Sequence, residues 1–429
     1  MCAIIYIGFF SASTKGVITM QRRKDPKGRV LKDGERFKPK ENRYSYRWTD
    51  KMGKRHEIHG KTLDELRRKE AELNRDIYEG IKTPDSNITV NDVFRNWLED
   101  KKGLRSSTRG NYIYMYEQYV QDSFGKLKIR DVKKSDVRRF YNQLHDTRGL
   151  SFNTIEVIQN VLNQLFTLAV DDDYIRKNPA MSALGDCKKA HNYQRPKRHA
   201  LTIPEQKAFM SYIKNTPKFS HWLPIFTFFL GTGCRVSEVI SLRWEDVDME
   251  EGIISINHGI TYYQRETKVC KFQISENTKT EAGTRIIPML SDVKQAILNE
   301  KEYQEEIGIK CLAKYNGYTN FIFLNRFGDV HNPETINRTI KRIILAYNIE
   351  ETEKADAENR EPLLLPNFSC HNLRHTFATR YCENESNIKV IQEILGHKDI
   401  ATTMDVYMEA TKDAKKKSFT DLEGKITLM

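Results

Sequence analysis

Apolar positions repeat with a helical period through much of this 429-residue chain. The most regular stretch is 151–171, where Ile155, Ile158, Val161, Leu162, Leu165, Phe166 and Ala169 recur at three- and four-residue steps. Ser151 stands where an N-cap belongs. Sparser versions of the pattern predict helices over 90–101, 106–121 and 135–145, so Thr89 to about Asp173 reads as a small four-helix domain. Upstream the period changes to two. Arg43-Tyr-Ser-Tyr-Arg-Trp48-Thr alternates as a strand does, Lys54–His59 offers a second strand, and Asp50–Gly53 supplies the turn. Thr62-Leu-Asp-Glu65 then reads as a capping box opening a helix to about Glu79.

Residues 178–200 lack any period and carry Lys188, Lys189, Arg195, Lys197 and Arg198, which predicts a basic linker. Thr83-Pro84-Asp-Ser-Asn87 reads as another linker. After Leu201 a buried helix, Trp222 to Leu230, ends in Gly231-Thr-Gly233, and a new helix begins near Arg235. Strands are expected at 252–257, 268–275 and 284–289, with helices filling the remainder. The fold class is therefore multidomain. A small three-stranded β-sheet plus helix spans 20–83 and an α-helical domain spans 84–177. The linker 178–200 leads to a mainly α domain with a small antiparallel sheet over 201–412, and a tail follows at 413–429.

Charge adds a partner to this picture. The chain carries a net +12 at pH 7, and residues 21–61 hold 15 Lys/Arg against 6 Asp/Glu, a net +9. A basic, aromatic-interleaved sheet is suited to a polyanion, most simply double-stranded DNA, whose groove can accept strands. Seven scattered cysteines contain no CxxC pair, which fits reduced thiols in a cytoplasmic protein better than a disulfide frame or zinc site. No apolar run reaches the ~20 residues needed to span a bilayer, so no membrane partner is expected. Ala3–Phe10 resembles a signal core but lacks a preceding basic region. Translation starting at Met20, with 1–19 an artefact or a disordered tail, is the simpler expectation.

The C-terminal third carries the chemistry. His371 and Arg374 are i, i+3 neighbours on a helix that Ser369 would cap, seated by Leu373, Phe377 and Tyr381. Gly396 stands at a helix C-cap, His397 follows in the turn, Asp399 can cap the next helix, and Tyr407 lies on that helix. Arg235 follows the Gly231-Thr-Gly233 turn, with Glu238 on the same face to orient it. A phenol among cations suggests a nucleophile aimed at a phosphate. His371 and His375 share the spacing of the zinc pair in HExxH, but Asn372 replaces the required Glu, so no metal is expected.

Taken together, Arg235 in its Gly-Thr-Gly-Cys-Arg context, His371-x-x-Arg374, Leu-Gly-His397 and Tyr407 resemble the signature of tyrosine site-specific recombinases, the phage-integrase family. The resemblance covers about 201–412. Residues 89–175 resemble the family's core-binding, SAM-like domain. The basic sheet, with Lys-Gly-Arg29, resembles the arm-type DNA-binding domain of integrases from bacterial conjugative transposons. On this resemblance the catalytic lysine of a β-hairpin falls on Lys279, with Lys268 and Lys271 as rivals by spacing.

The resemblance implies a recombinase that integrates and excises a mobile element through a 3′-phosphotyrosyl intermediate. It needs no metal, cofactor or ATP. Arg235 and Arg374 would fork onto the phosphate oxygens, His371 would act as base, and His397 would bind phosphate or orient Tyr407. Lys279 would be the general acid. A homotetramer on DNA, an excisionase, a host DNA-bending protein and a bacterial, nucleoid-associated location are further expectations of the family. Two other readings compete: a type IB topoisomerase-like relaxing enzyme, and a non-catalytic DNA-binding regulator.

Overall fold

The computed structural model describes residues 23–49, 53–81, 88–195, 199–264, 270–275 and 283–410. Residues 50–52 of the expected turn at Asp50–Gly53, the linker at Thr83–Asn87, the leading tail, the tail after 412, and both Lys268 and Lys279 lie outside them. The chain divides into two compact units. One runs through Gly103 and resumes at Tyr112–Tyr193; the other comprises Leu104–Asn111 and Gln194 onward.

In the first unit, strands β1 (Glu35–Lys38), β2 (Arg43–Thr49) and β3 (Arg55–Gly60) form an antiparallel sheet in sequence order. Its register settles the alternation seen in the sequence. Phe37, Tyr44, Tyr46 and Ile58 share one face and pack on Leu31, Leu63 and Leu66, so these aromatics serve the core beneath helix α1 (Leu63–Tyr78). Arg36, Lys38, Arg43, Arg47 and Arg55 occupy the other face, with Glu57 among them. Thr62 caps α1 by accepting from the Glu65 amide at 3.1 Å. The Glu65 carboxylate takes the Lys61 amide at 2.9 Å and not that of Thr62, so the expected box closes one residue early. Asp76 near the end of α1 accepts from Arg130 and Arg176, tying this module to the helical one that follows.

That helical module contains α2 (Val90–Asp100), α3 (Ser106–Tyr119) from Tyr112 onward, α4 (Lys134–Asp146) and α5 (Phe152–Asp171), close to the expected spans. The periodic residues of α5 from Ile155 to Ala169 are all buried, and Ser151 accepts from the Thr154 amide. One correction falls here. The stretch read as a linker, 178–200, contains helix α6 (Ala183–Ala190), seated by Ala183, Leu184 and Cys187. Its eight residues are too few, and its last turn too basic, for periodicity to announce it.

The second unit is built around α9 (Leu223–Thr232). With Pro224, Ile225, Phe226, Phe228 and Phe229 buried, this helix is apolar on every side and occupies the core. Helices α7 (Ile203–Asn215), α8 (Pro217–Ser220), α11 (Ser291–Ile307), α12 (Pro333–Ala357) and α13 (Cys370–Asn384) complete the same unit. Short strands β4 (Val247–Asp248), β5 (Ile253–Ile256) and β8 (Arg285–Pro288) make one antiparallel sheet. A separate hairpin of β6 (Gly259–Gln264) and β7 (Cys270–Ser275) adds a strand that the alternation did not reveal. Helix α10 (Val236–Val239) follows α9, and α14 (Ile388–Leu395) and α15 (Ile400–Ala410) close the fold. Among the described residues no helix is long and apolar enough to cross a membrane.

Candidate active site

Three consecutive carbonyls at the end of α14 hold three arginines drawn from three parts of the chain. Ile394 O accepts from Arg285 Nε at 2.7 Å, Leu395 O from Arg374 Nη2 at 2.5 Å, and Gly396 O from Arg235 Nη2 at 2.7 Å. The last carbonyls of a helix lack partners within it, and that end of the helix dipole favours cations. Gly396, at φ +62°, is the left-handed C-cap that turns the chain there, and His397 follows directly.

Arg235 is the N-cap of α10. Its amide and its Nη1 both reach the Glu238 carboxylate, at 2.8 and 2.7 Å, as the i, i+3 spacing suggested. It is delivered by Gly233, the C-cap of α9, whose φ of +63° suits glycine. A Cβ at Gly233 would also lie 2.2 Å from Phe377 Cδ1. The Gly233 carbonyl accepts from Arg374 Nη1 at 2.8 Å, so the turn that presents one arginine also anchors another.

Arg374 is 4% exposed, on the second turn of α13. Burial pushes its guanidinium down to about 10, helped by repulsion from Arg235 and Arg285 and opposed by Glu238. It is therefore still charged near neutral pH. Burial also disfavours a charged Glu238, but Arg285 and then Arg235 outweigh this and hold its carboxyl down at about 2. Arg235 and Arg285 pair with the Glu238 carboxylate while Arg374 donates to two carbonyls, so three guanidiniums stand beside one carboxylate with an excess of positive charge that an anion would balance.

His397 lies beside this excess. Burial, then Arg374, Arg235, Arg285 and His371, drive its imidazole down to about 4, so it is neutral at pH 7. Its Nδ1 is 3.0 Å from Thr403 Oγ1; when Thr403 donates there, Nε2 carries the hydrogen and becomes a donor. His371 is exposed in the first turn of α13, near enough for its charge to act on His397. Ser369 caps that helix, its amide donating to Asn372 Oδ1 at 3.1 Å. Tyr407 sits half-buried on α15, packed with Phe377 and Tyr381 against Ala378, Cys382, Ile391 and Leu395 of α13 and α14. Asp399 caps α15 through the Ala401 amide at 3.0 Å.

The structure therefore gathers Arg235, Arg374 and His397 tightly, with His371 and Tyr407 on the two helices that flank α14. Lys279 lies outside the described residues, between β7 and β8. Its rival Lys271 is on β7, opposite Tyr263. Sequence reasoning missed Arg285. The signal was present: Arg285 and Ile287 are two apart in a strand and share its buried face.

Comparison with known proteins gives the family. Residues 200–414 match the model of the phage integrase family. Residues 19–77 match the DNA binding domain of tn916 integrase, and 89–145 the N-terminal SAM-like domain of phage integrases. The chain is 28% identical over 410 residues to the transposase from transposon Tn1545 of Streptococcus agalactiae, covering 92% of this chain and 95% of that one. The same values hold for the transposase from transposon Tn916 of Enterococcus faecalis. A solved structure of the Tn1549 transposon integrase, in complex with a circular intermediate DNA, superimposes with a TM-score of 0.66 at 28% identity. That match covers 78% of this chain and 99% of that one. Since the family model spans half of the chain, the protein belongs to the phage integrase family of tyrosine recombinases.

Proposed function

We propose that this recombinase is the integrase of a mobile DNA element, cutting and rejoining DNA through a transient bond between Tyr407 and a 3′-phosphate. The observation that carries the reading is the set of three guanidiniums held on consecutive carbonyls at the end of α14, beside a neutral histidine. A phosphodiester in cleavage gains negative charge on its non-bridging oxygens. Arg235 and Arg374 can each offer it further N–H donors, already oriented, with Arg374 removed from water and Arg235 half-buried at the edge.

The phenol of Tyr407 loses its proton to His371 as its oxygen attacks phosphorus. His397 donates to a non-bridging oxygen. The P–O5′ bond breaks, and Lys279 gives the departing 5′-oxygen its proton. Tyr407 is left esterified to the 3′-phosphate. The ester conserves the energy of the broken bond, so a 5′-hydroxyl from another strand rejoins the DNA without ATP. Guanidinium charge does the work that a metal does in other phosphoryl transfers.

In this reading residues 20–83 are the arm-type DNA-binding domain, 84–177 the core-binding domain and 201–412 the catalytic domain. Strand exchange takes place in a homotetramer in the bacterial cytoplasm, with an excisionase and a DNA-bending protein setting direction. The Tn1545 and Tn916 relatives and the DNA-bound Tn1549 integrase support this reading over a relaxing enzyme or an inactive regulator.

The test is a nicked suicide duplex carrying the element's end, incubated in EDTA with wild type and with Tyr407→Phe. A denaturing gel should show a protein–DNA adduct with wild type alone, while both proteins shift the duplex on a native gel. An adduct that survives Tyr407→Phe would remove Tyr407 from the role of nucleophile.

A further inference from the structure

In the first unit, the end of α4 meets the end of α6 through His145, Asp146 and His191. One ligand atom from each lies within 4.8 Å of the other two, the one such group of metal-ligating side chains among the described residues. His191 Nε2 is 3.1 Å from Asp146 Oδ1. Two ligands about 2.0–2.2 Å from a tetrahedral zinc ion stand about 3.3–3.6 Å apart, so this pair opens by only a few tenths of an ångström to admit one.

The two imidazoles are held as ligands usually are. His145 Nδ1 lies 2.8 Å from the Leu150 carbonyl and His191 Nδ1 lies 2.9 Å from the Cys187 carbonyl. Each Nδ1–H is thus donated to backbone, which leaves Nε2 as the binding nitrogen and fixes the direction of its lone pair. Both rings also rest on the buried Phe152. His145 stacks on it at 4.3 Å and His191 meets its edge at 5.4 Å, with the two imidazoles at 87° to each other. Packing therefore sets the ring planes before any ion arrives.

We infer that His145, Asp146 and His191 form a binding site for a divalent transition-metal ion of the zinc class. Two imidazole nitrogens and one carboxylate oxygen supply three ligands, and water completes a tetrahedron. The alternative occupant is a proton. With Nδ1 donated to Cys187, His191 can donate to Asp146 only as imidazolium, and this pair makes no use of His145 Nε2. A metal ion takes the place of that proton and recruits the second histidine. Its consequence is structural. It joins the last turn of α4 to the residue that ends α6, and it stabilises the folded state by mass action.

The test uses the full chain, freed of metal with a chelator and titrated with Co²⁺, whose visible absorption reports tetrahedral nitrogen and oxygen ligands. Wild type should bind one Co²⁺ more than Asp146→Ala and one more than His191→Ala, and Zn²⁺ should bleach that band stoichiometrically. Removing one ligand should weaken binding at this site at least tenfold, judging from the 10–100-fold seen for outer-shell changes alone. Asp146 has a side chain 57% exposed, so its removal leaves packing intact, and unchanged melting of the apo variant checks this. Zn²⁺ should raise the melting temperature of wild type and not of either variant. Equal Co²⁺ stoichiometry in all three proteins would overturn the site and leave a proton-bridged ion pair. The adduct assay for Tyr407 is independent of both outcomes.

Discussion

Arg285 and Glu238, 47 residues apart in sequence, meet through both ends of each group: Nη2 to Oε2 at 2.8 Å and Nη1 to Oε1 at 3.2 Å. The same carboxylate takes the amide and Nη1 of Arg235. Glu238 is thus the hub through which a residue outside the motif, Arg285, orients one inside it. Removing one partner of a buried pair leaves an uncompensated charge, at a cost of about 3–5 kcal/mol. Arg285→Met should destabilise the catalytic domain by that order in urea unfolding and lower adduct yield with it. Adding Glu238→Gln should restore part of the lost stability but not the adduct, because Arg235 remains unoriented. Simple additivity of the two substitutions would refute the coupling.

Gly233 joins two of the arginines through a backbone conformation. Its φ of +63° strains any other residue, and Phe377 Cδ1 stands 2.2 Å from where a Cβ would be. Gly233→Ala should cost more than about 1 kcal/mol and reduce cleavage more than its stability loss explains, since the displaced carbonyl belongs to Arg374. Gly233→Ala with Phe377→Leu should recover the part due to the clash and keep the part due to φ. Full recovery in unfolding and adduct assays would show that the turn conformation is unimportant.

How far the sequence discloses this site depends on what carries each residue. Arg235, His371, Arg374, His397 and Tyr407 are legible because they stand in an ordered set with cap glycines and helical spacing around them. Glu238 is legible from its position three residues after Arg235. Arg285 is not, because a charged residue at the start of a strand is ordinarily solvated; only the two-residue step to buried Ile287 points inward. Likewise the fold is legible where periodicity is long, as in α5. It is hidden where few residues are buried, as in α6, and in β6, where buried Ile260 shares a face with Tyr262, which is 37% exposed.

Acid should unfold this protein in two stages. His397 and His331 each have a folded-state pKa of about 4 in place of the usual 6.5, by burial first and then by neighbouring positive charge: the arginines for His397, His221 for His331. Below 6.5 the unfolded chain takes up these protons and the folded chain does not. The stability these two contribute is therefore complete above about pH 6.5 and lost as pH drops to 4, offset in part by Glu300, which burial holds up at about 7 so that its protonation favours the fold as pH falls to 4.5. Glu238, held at about 2 against the usual 4.5, extends the loss from 4.5 downward. In urea midpoints measured against pH, His331→Gln with His397→Asn should flatten the limb between 6.5 and 4 and spare the lower one. An upper limb of unchanged slope in this double variant would exclude both histidines as its origin.

Arg374→Lys tests geometry at constant charge. Arg374 spans the Gly233 and Leu395 carbonyls, on two different elements, with Nη1 and Nη2. A lysine ammonium is a point donor on a single stem and cannot bridge the two while facing a phosphate. Adduct formation should fall by at least a hundredfold, the usual order for losing one preorganised donor to a developing oxyanion. DNA binding by gel shift should change little. Wild-type cleavage by Arg374→Lys would show that charge alone suffices there.

The N-terminal sheet makes the last prediction, about DNA affinity. Its outer face presents Arg36, Lys38, Arg43, Arg47 and Arg55 by strand register. Each phosphate neutralised contributes about −0.9 to the slope of log K against log salt, so the full chain should show a steeper slope than residues 84–429. Arg47→Ala should flatten it by about one if Arg47 meets a phosphate. Glu57 makes the test sharper because it works against this face. It lies opposite Arg47 and pairs with Lys38 at 2.9 Å and Arg47 at 3.2 Å. Burial alone would raise its carboxyl, but Lys38, Ser45 and Arg47 outweigh it and hold the group at about 2, ionised at every working pH. Glu57→Gln releases two cations to the DNA and should steepen the slope and tighten binding at low salt. If instead truncation, Arg47→Ala and Glu57→Gln all leave the slope at its wild-type value, the sheet does not touch the duplex backbone.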